Sequence, residues 1–574
     1  MKKVGIILLA LLLLAAGGYL FLRYRVLRSK EFAPQKNIAR SPLDLRPAIA
    51  ARIRQMVFDA SNGLYKLSLD DINPDLSSSS VDIVNARVTI DSNRMRELDR
   101  QQLLPTELYQ FSFKKLHIDG LELGELIKKK DIILERIIID GPRFTVYHRE
   151  HRYKAASIPT DSTSLYTRLA RRMGLFVVKE VVLTNGVYMS VDQGKEQQAL
   201  RLGDIAALIK DIHIDSTTWQ NSNRFLFAAD AEISCSGIQR RTSDSMYIFK
   251  TGKFFLQASS RQLTIRDAAL VPRGDRIFFR SHHQYRIDRF DISVPRIALR
   301  QVDWNALFID GKLTCNTADL YNAQFSDFID DGMLSRPANK PKNFPYQLFH
   351  ELPVRINISQ VNFHNLNVAY TEYFPPSGRD GTIHFNNATA RITNLINDPR
   401  HIGRNMWCRV HARSLFMHRT PMEMNFGFDM NRYRDGHFTA DLRAGTTDGA
   451  GLDPVTEPLA LFTVKKGVLD SLTVHLEGDN NSVTGDISML YHDLHITPLK
   501  KLNDGENTLK KRHISGLIAN LFVIKNNNPD NKGVRQPHVT VSRDNISSFF
   551  HFGWVAIRQG VFETVGLPAD FAPK

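Results

Sequence analysis

Residues Phe113–His148, FKKLHIDGLELGELIKKKDIILERIIIDGPRFTVYH, contain the pattern that decides the fold. Apolar and polar residues alternate in short runs, which is typical of β-strands with one buried face. Gly120 and the corner Asp140-Gly141-Pro142 separate these runs, and residues of these types favour turns. The stretch therefore predicts several short strands joined by tight turns.

The same pattern occurs a second time in the chain. A shift of 181 positions, without gaps, aligns Leu116, Ile118, Leu121, Leu123, Leu126 and Phe144 with Ile297, Leu299, Val302, Trp304, Leu307 and Phe325. Residues 81–88 fit residues 263–270 at a shift of 182, and residues 178–186 fit residues 358–366 at a shift of 180. These near-constant shifts predict a tandem module of about 180 residues. The alternative is the self-alignment at some offset that any β-rich chain shows.

Length and charge limit the class of protein. The chain has 574 residues, which is enough for several domains, and a formal net charge of +15. Such a basic chain suits an anionic membrane surface or nucleic acid, and charge alone selects neither. The three cysteines, Cys235, Cys315 and Cys408, lie far apart. Their spacing indicates neither a disulfide framework nor a zinc site.

The amino terminus carries the clearest single signal. Lys2 and Lys3 precede an uncharged run from Val4 to Leu22, which as a helix spans roughly 28 Å, about one hydrocarbon core. We expect an uncleaved membrane anchor with Val4, Leu8, Leu12, Tyr19 and Leu22 in the bilayer. A cleaved signal peptide is the alternative, but the apolar run continues beyond the small residues at positions 15–18.

The orientation of this anchor follows less directly from charge. Four basic residues follow the run, against Lys2, Lys3 and the amino terminus before it, so a literal charge count keeps the body in the cytoplasm. Long downstream domains translocate largely regardless of charge. We therefore expect a single-pass inner-membrane protein whose body lies in the periplasm.

Helical patterns occur at a few places. Residues 41–62 predict a helix that either caps the first strands, the interpretation we prefer, or forms a basic segment near the membrane. Residues 164–174 and 344–352 predict short helices at module junctions, and residues 525–536 predict a loop. The aromatic-rich segment 547–567 fits two interpretations equally, a helix that plugs the end of the sheet or a contact with a membrane surface or partner.

Elsewhere strands dominate, and several have one apolar face. The cleanest case is a hairpin across Met422–Arg443 with a turn at Asp435-Gly436. Similar alternation in residues 225–233, 354–358 and 472–476 predicts an antiparallel sheet system with one dry face. The apolar residues predicted to line that face are Phe225, Phe227, Val354, Ile356, Ile358, Met422, Met424, Phe426, Phe428, Met430, Phe438, Leu442, Leu472, Val474 and Leu476.

Motifs of catalysis are missing from the sequence. It contains no Gly-rich phosphate loop, no HExxH, no nucleophile elbow and no CxxC. His282, His283, His401, His411 and His418 lack a carboxylate or cysteine context typical of metal ligands. The stretch Arg404–Trp407 could stack on nucleic-acid bases, but Trp407 on a strand is more simply a packed residue. The sequence thus predicts a protein that is not an enzyme, with no cofactor, no metal and no nucleic-acid partner.

Several segments of the chain together resemble a known family. An amino-terminal anchor is followed by the units LHIDGLELGEL (116–126), ERIIIDGPRFTVY (135–147), KEVVLTNGVYM (179–189) and IALRQVDWNAL (297–307). The segment VKKGVLDSLTVHLEGDNNSVTGDISMLYHDLHI (464–496) is similar to that family's closing segment. These patterns resemble the AsmA-like proteins of diderm bacterial envelopes, relatives of bridge-like lipid-transfer proteins with a repeating β-groove.

The resemblance implies a function without catalytic residues. It implies an inner-membrane anchor, a periplasmic body and a role in moving phospholipid or supporting outer-membrane biogenesis. Phospholipid or another acyl-chain lipid is the expected partner, together with the inner membrane and outer-membrane components. A scaffold or assembly factor for outer-membrane proteins is the alternative.

The expected fold is mainly β, an elongated, curved antiparallel β-groove of tandem modules with a few short helices. The expected domains are an anchor (1–30), a membrane-proximal helix (31–64), β-module 1 (65–212), β-module 2 (213–395), and a diverged β-module 3 with the carboxy-terminal amphipathic segment (396–574).

Overall fold

The prediction of a mainly β protein is confirmed by a computed structural model of the chain. The structure describes residues 46–75, 77–120, 132–149, 175–192, 200–214, 224–225, 227–242, 244–308, 310–334, 344–403, 406–501, 509–511, 524–543 and 549–567. Within these ranges most residues belong to long, mostly antiparallel sheet, and helices are few and mostly short. The predicted anchor at residues 4–22 and the predicted helix at 164–174 lie outside the described residues.

The strands follow one another closely along the chain. In the described ranges they are β1 (Tyr65–Ser68), β2 (Asp71–Asp75), β3 (Ser80–Ile90), β4 (Glu107–Asp119), β5 (Ile132–Asp140), β6 (Arg143–His148), β7 (Phe176–Asp192), β8 (Leu200–Ile214), β9 (Ala228–Ser236), β10 (Gln239–Arg241), β11 (Tyr247–Lys250), β12 (Lys253–Gln257), β13 (Gln262–Pro272), β14 (Arg289–Arg300), β15 (Lys312–Tyr321), β16 (Gln324–Asp330), β17 (Arg355–Phe374), β18 (Arg379–Ile396), β19 (Trp407–Phe416), β20 (Thr420–Asp429), β21 (Phe438–Ala444), β22 (Thr447–Asp448), β23 (Phe462–Gly478), β24 (Ser482–Lys501), β25 (Leu509–Lys511) and β26 (His538–Ser542).

The helices lie between or beside the strands. In the same ranges they are α1 (Arg46–Ala60), α2 (Ser92–Arg100), α3 (Arg276–His282), α4 (Trp304–Phe308), α5 (Pro345–His350), α6 (Asp453–Ala460) and α7 (Phe549–Val565), with short 3-10 turns at Pro399–His401 and Gly449–Leu452. Helix α1 buries Ala50 and Ile53. Ile53 lines an apolar gap of about 20 Å³ whose other walls include Leu67 and Phe111. The interpretation of this helix as a cap over the first strands is confirmed.

The chain divides into two compact units. Unit 1 comprises residues 1–240, 251–266 and 301–311, and unit 2 comprises residues 241–250, 267–300 and 312–574. The module boundaries expected from the sequence, after residues 64, 212 and 395, stay a prediction.

Unit 1 is built on one run of paired strands. Strand β3 pairs with β1, β2 and β4, and β4 pairs with both β5 and β6, all antiparallel. Strands β5 and β6 then lie parallel to β7. From β7 the sheet continues antiparallel through β8, β9, β12 and the first part of β13.

Unit 2 contains the same arrangement of strands. Strand β14 pairs antiparallel with both β15 and β16, and these two lie parallel to β17. The sheet then continues antiparallel through β18, β19, β20, β21, β23, β24 and β26. The pairing pattern of β4–β8 thus recurs in β14–β18. The parallel pairs are a departure from the purely antiparallel sheet that the sequence predicts.

Backbone conformation repeats together with the pairing. Positive φ angles occur at Asn85 and Asp267, at Asn185 and Asn365, and at Gly141 and Asn322, at shifts of 182, 180 and 181. Left-handed backbone is tolerated best by Gly, Asn and Asp. Irregular pairing accompanies one of these positions in each half, at Leu183/Gly186 and at His364/Leu366. The recurring bulges are independent support for the repeat read from the sequence.

One strand differs from its sequence prediction. The alternation from Phe225 to Ile233 predicted a single apolar face, but the strand begins only at Ala228, and Phe227 has a φ of +83°. The left-handed residue changes the phase of the alternation, so Ala228 is buried and Ala229 is exposed. Phe225 forms an isolated bridge with Ala228 and packs edge-on against Trp304 and Phe308. The predicted alternation was therefore wrong across residues 225–229.

Candidate functional site

Two adjacent rows of apolar side chains cross the sheet of unit 2. Residues directly opposite one another in paired strands project from the same face. The Phe426 row is Leu299, Ala318, Val361, Ile392, Val410, Phe426, Ala440, Leu476, Gly485 and Val539. The Met424 row is Ile297, Leu320, Phe363, Ala390, Ala412, Met424, Leu442, Val474 and Ile487.

No polar side chain interrupts either row. Across the ten strands of the Phe426 row, inter-strand spacings of about 4.8 Å add up to roughly 43 Å of apolar surface. The hairpin face predicted from the sequence forms the middle of these rows, and the predicted hairpin is confirmed by the antiparallel pairing of β20 with β21. The sequence identified the hairpin but not its continuation through the neighbouring strands.

The opposite face of the same strands is polar. The His475 row lies one residue away from the Phe426 row and reads Ala298, Asp319, Asn362, Arg391, His411, Asn425, Asp441, His475, Asp486 and His538. Several neighbouring side chains of the His475 row are hydrogen-bonded. For example, His475 Nδ1 lies 2.6 Å from Asp441 Oδ1, and His538 Nδ1 lies 2.8 Å from Asp486 Oδ1. The sheet of unit 2 therefore has one apolar and one hydrated face.

Unit 1 has an apolar row of its own. The Leu183 row is Ile72, Ile83, Leu116, Ile139, Leu183, Ala207, Ile233, Leu256 and Leu263. It passes through the stretch Phe113–His148 at Leu116 and Ile139. Each unit thus carries a continuous apolar band across its sheet.

Helix α7 covers part of the apolar face in unit 2. The Phe549 ring lies 5.9 Å from Phe426, 5.6 Å from Phe428 and 5.1 Å from Phe438, measured between ring centroids. A Cβ on Gly560 would lie 2.4 Å from Ile487 Cδ1, so only glycine allows the helix to approach β24 this closely. The helix ends at Val565, where Gly566 has a φ of +84°. Of the two interpretations of segment 547–567, the structure shows the packed helix.

The strands of unit 2 bend round this helix. His551 of α7 meets Glu372 on β17, and Gly560 meets Ile487 on β24. Nine helical residues rise about 14 Å, whereas six strand spacings in a flat sheet cover about 29 Å. The two contacts can form together only if the sheet between β17 and β24 curves. In agreement, Phe550 is the only exposed residue of α7, as expected for a helix with neighbours on most sides.

The predicted lining residues fall into different surroundings. Phe438, Met430, Val474 and Leu476 are at most 2% exposed, and Phe428, Met422 and Met424 are also buried. Phe426, Leu442 and Leu472 are half-buried. The hairpin face is therefore closed near Phe438 and more accessible near Phe426. That this face lines a lipid path stays a prediction.

The remaining lining residues lie elsewhere. Ile358 is buried on β17 and Ile356 is half-buried. Val354 precedes the strand and is 45% exposed. Phe225 and Phe227 lie in the bridge region of unit 1 described above.

A buried ionic cluster lies on the apolar face under α7. Its members are Arg286, Asp288, Asp327, Asp331, Tyr370, Glu372, His551 and Arg558. His551 Nδ1 lies 3.3 Å from Glu372 Oε2, and the Tyr370 hydroxyl donates to the same oxygen at 2.9 Å. Arg286 forms an ion pair with Asp331. Asp327 Oδ1 and Asp288 Oδ1 are buried without a hydrogen-bond partner among the residues described.

Burial dominates the titration of the acidic members. It raises the pKa of Asp327 to about 8, helped by Asp288, and the pKa of Asp331 to about 7, helped by Glu372. It also raises the pKa of Asp288 to about 6. For Glu372 burial acts in the same direction, but hydrogen bonds and the charge of His551 outweigh it and lower the pKa to about 2. Glu372 is therefore the carboxylate of the cluster that stays ionised well below neutral pH.

The basic members respond to the same surroundings. Burial alone lowers the pKa of His551, but its bond to Glu372 and the nearby carboxylates raise it above its usual value. Burial lowers the pKa of Arg558, which lies near Glu372 and Asp331. Ion pairs removed from water in this way stabilise a fold only when geometry and partners are good.

The cluster also contains the one group of potential metal ligands found among the described residues. One ligand atom each of Asp331, Glu372 and His551 lie within 4.8 Å of one another. However, Asp331 already pairs with Arg286, and Glu372 already bonds His551 and Tyr370. We interpret the group as an ion-pair cluster that joins α7 to the sheet.

Sequence reasoning missed this cluster. His551 and Glu372 are 179 positions apart, and neither belongs to a motif. The only signal available was a charged residue within an apolar pattern, Glu372 between Tyr370 and Phe374 and His551 between Phe550 and Phe552. Such a residue on the buried face of a strand or helix requires a partner.

No family model matches the chain, and no curated protein matches it. Among the described residues, no helix combines the length and the apolar character needed to cross a membrane.

Proposed function

We propose that this chain is an inner-membrane-anchored, periplasmic AsmA-like protein that binds or conducts phospholipid along the apolar face of a curved β-groove. In this role it supports outer-membrane lipid homeostasis and biogenesis and has no enzymatic activity. The observation that carries the proposal is the pair of uninterrupted apolar rows in unit 2, with the Leu183 row as a counterpart in unit 1.

The chemistry of an acyl chain matches such rows. Each buried methylene contributes about 0.8 kcal/mol, so a long chain gains most from a surface without polar interruptions. The backbone N–H and C=O groups of paired strands are already hydrogen-bonded to each other, so they need no hydrogen bonds from the ligand. The head group would stay in water at the rim of the sheet, where the basic balance of the chain favours an anionic phosphate.

A transfer assay tests the proposal. The purified full-length chain should accelerate movement of a fluorescent phosphatidylethanolamine from donor to acceptor vesicles. Leu442→Glu places a charge in the Met424 row and should abolish the acceleration. Arg443→Glu, on the opposite face of the same strand, is the matched control and should transfer like the unmodified chain.

The outcome separates lipid transfer from the alternative role. Transfer no faster than between vesicles alone would overturn the proposal and favour a scaffold that captures envelope proteins. Equal loss in both variants would show that the charge acts through the fold rather than through the apolar face.

A further inference from the structure

Helix α7 occupies the surface on which the proposed function depends. Its Phe549 fills the space over Phe426, Phe428 and Phe438. Its other end rests on Ile487, the last residue of the Met424 row. An acyl chain and α7 therefore cannot lie on this part of unit 2 at the same time.

Helix α7 is held by buried charges as well as by apolar core packing. A purely structural helix in this position needs only apolar side chains, and replacing buried ion pairs by apolar residues is often neutral or stabilising. Instead α7 brings His551 and Arg558 into the apolar face, where Glu372 and Asp331 lie. Asp327 and Glu372 occupy positions on β16 and β17 whose neighbours along the strand, Phe325 and Phe374, are apolar.

These polar groups hold the helix through few bonds. Loss of one partner of a buried pair leaves the other charge without compensation and costs several kcal/mol. Moving His551 away from Glu372 therefore weakens the attachment of α7, although its buried apolar residues Phe552 and Phe562 also hold it.

We propose that α7 is an intramolecular plug, which fills the lipid-binding face of unit 2 through its own aromatic side chains, is held by the buried ionic cluster, and is displaced when acyl chains enter. This inference rests on the proposed function and adds its regulation. The Leu183 row of unit 1 serves as the reference for lipid binding.

A disulfide across the contact of α7 with β24 tests the plug. An ideal Cβ on Gly560 lies 2.9 Å from the Cβ of Ile487, slightly closer than the 3.5–4.5 Å or so of a disulfide. The variant Ile487→Cys/Gly560→Cys removes the larger side chain and should form the bond after a small shift. Its reduced form is the matched control, because the two samples differ only in the crosslink.

The readout is the place at which lipid binds. Full-length protein is mixed with vesicles of phosphatidylethanolamine and phosphatidylglycerol that contain a phosphatidylethanolamine with a photoactivatable acyl chain. After illumination, mass spectrometry maps lipid adducts to peptides of β20 and β21 in unit 2 and of β5 and β7 in unit 1. A locked plug should reduce adducts on β20 and β21 by at least about tenfold, because a ligand binds in proportion to the fraction of open sites.

A second variant releases the plug instead of locking it. His551→Ala leaves Glu372 without its ion pair and should increase adducts on β20 and β21. His538→Ala is the matched control, since His538 bonds Asp486 on the hydrated face and should leave the adducts unchanged.

The two units make failures distinguishable. Adducts on β5 and β7 with none of the expected changes on β20 and β21 would overturn the plug and leave the proposed function intact. No adducts on either unit in any sample would overturn the proposed function itself. Restoration of the β20 and β21 adducts by a reducing agent would support the plug, because a misfolded variant does not regain binding in this way.

Discussion

Phe426 and Phe438 lie on the same apolar face but in different surroundings. Phe438 is 2% exposed and packs against Phe344 and Phe549. Phe426 is half-buried, and its one close ring contact among the described residues is with Phe549. A phenylalanine of the first kind fills a core, whereas one of the second kind can also serve a ligand.

A charge at each position separates these roles. Phe438→Asp should unfold unit 2, since an unpaired buried charge costs several kcal/mol or more. Phe426→Asp should fold and melt near the temperature of the unmodified chain, because the carboxylate can reach water, but it should carry less lipid. Thermal unfolding followed together with lipid content provides the measurement.

The neighbour Asn425 on the hydrated face supplies the control for this pair, as Asn425→Asp should change neither quantity. If Phe426→Asp collapses like Phe438→Asp, the face is a closed core throughout. If Phe426→Asp is stable and keeps its lipid, Phe426 lies away from the lipid path.

In unit 2 the repeated strands form the apolar face, and helix α7 covers part of it. The repeat could be predicted from the sequence because apolar alternation and bulge residues with left-handed backbone, such as Asn185 and Asn365, recur at near-constant shifts. The position of α7 could not be predicted, because segment 547–567 is apolar enough to bind a sheet, a membrane or a partner. The surface to which this segment binds depends on contacts with residues as distant in sequence as Glu372. A single sequence does not indicate which distant residues form such pairs.

Docking of α7 should depend on pH. The pKa values of Asp288, Asp331 and Asp327 are raised to about 6, about 7 and about 8, and that of His551 is also raised. A group whose pKa is raised in the docked state binds its proton more tightly there, so its contribution is present at low pH and lost as pH rises through the raised value. Glu372 acts in the opposite direction, but with a pKa of about 2 it changes only in acid.

Hydrogen exchange of the α7 peptide measures this dependence. After correction for the intrinsic rate, protection should fall as pH rises from about 6 to about 9, because buried carboxylates ionise and His551 loses its charge. Protection that is constant or increases with pH would show that the cluster does not hold the helix.

Both compact units of the molecule carry a row of apolar side chains across their paired strands. The rows were only partly predictable. Strand periodicity indicates which residues share a face, but the register that joins Leu116 to Ile139 and Leu183 depends on bulges and on parallel pairs. Neither leaves a simple pattern in the sequence.

The side of the membrane on which the body of the protein lies can also be tested. We expect the body to lie outside the cytoplasm, since the run Val4–Leu22 has no clear cleavage site and long domains translocate largely regardless of charge. Protease added to cells with a permeabilised outer membrane should degrade the body. Protection equal to that of a cytoplasmic control protein would reverse the orientation.

If the apolar rows hold acyl chains, phospholipid should remain bound to the protein during purification. Full-length protein extracted in mild detergent should carry phospholipid, counted by mass spectrometry, in more than equimolar amount. Charges in both units, introduced as Leu183→Glu and Leu442→Glu, should remove most of it while Arg443→Glu keeps it. A lipid content that is the same in all these proteins, or no higher than in an unrelated single-pass membrane protein, would contradict the account.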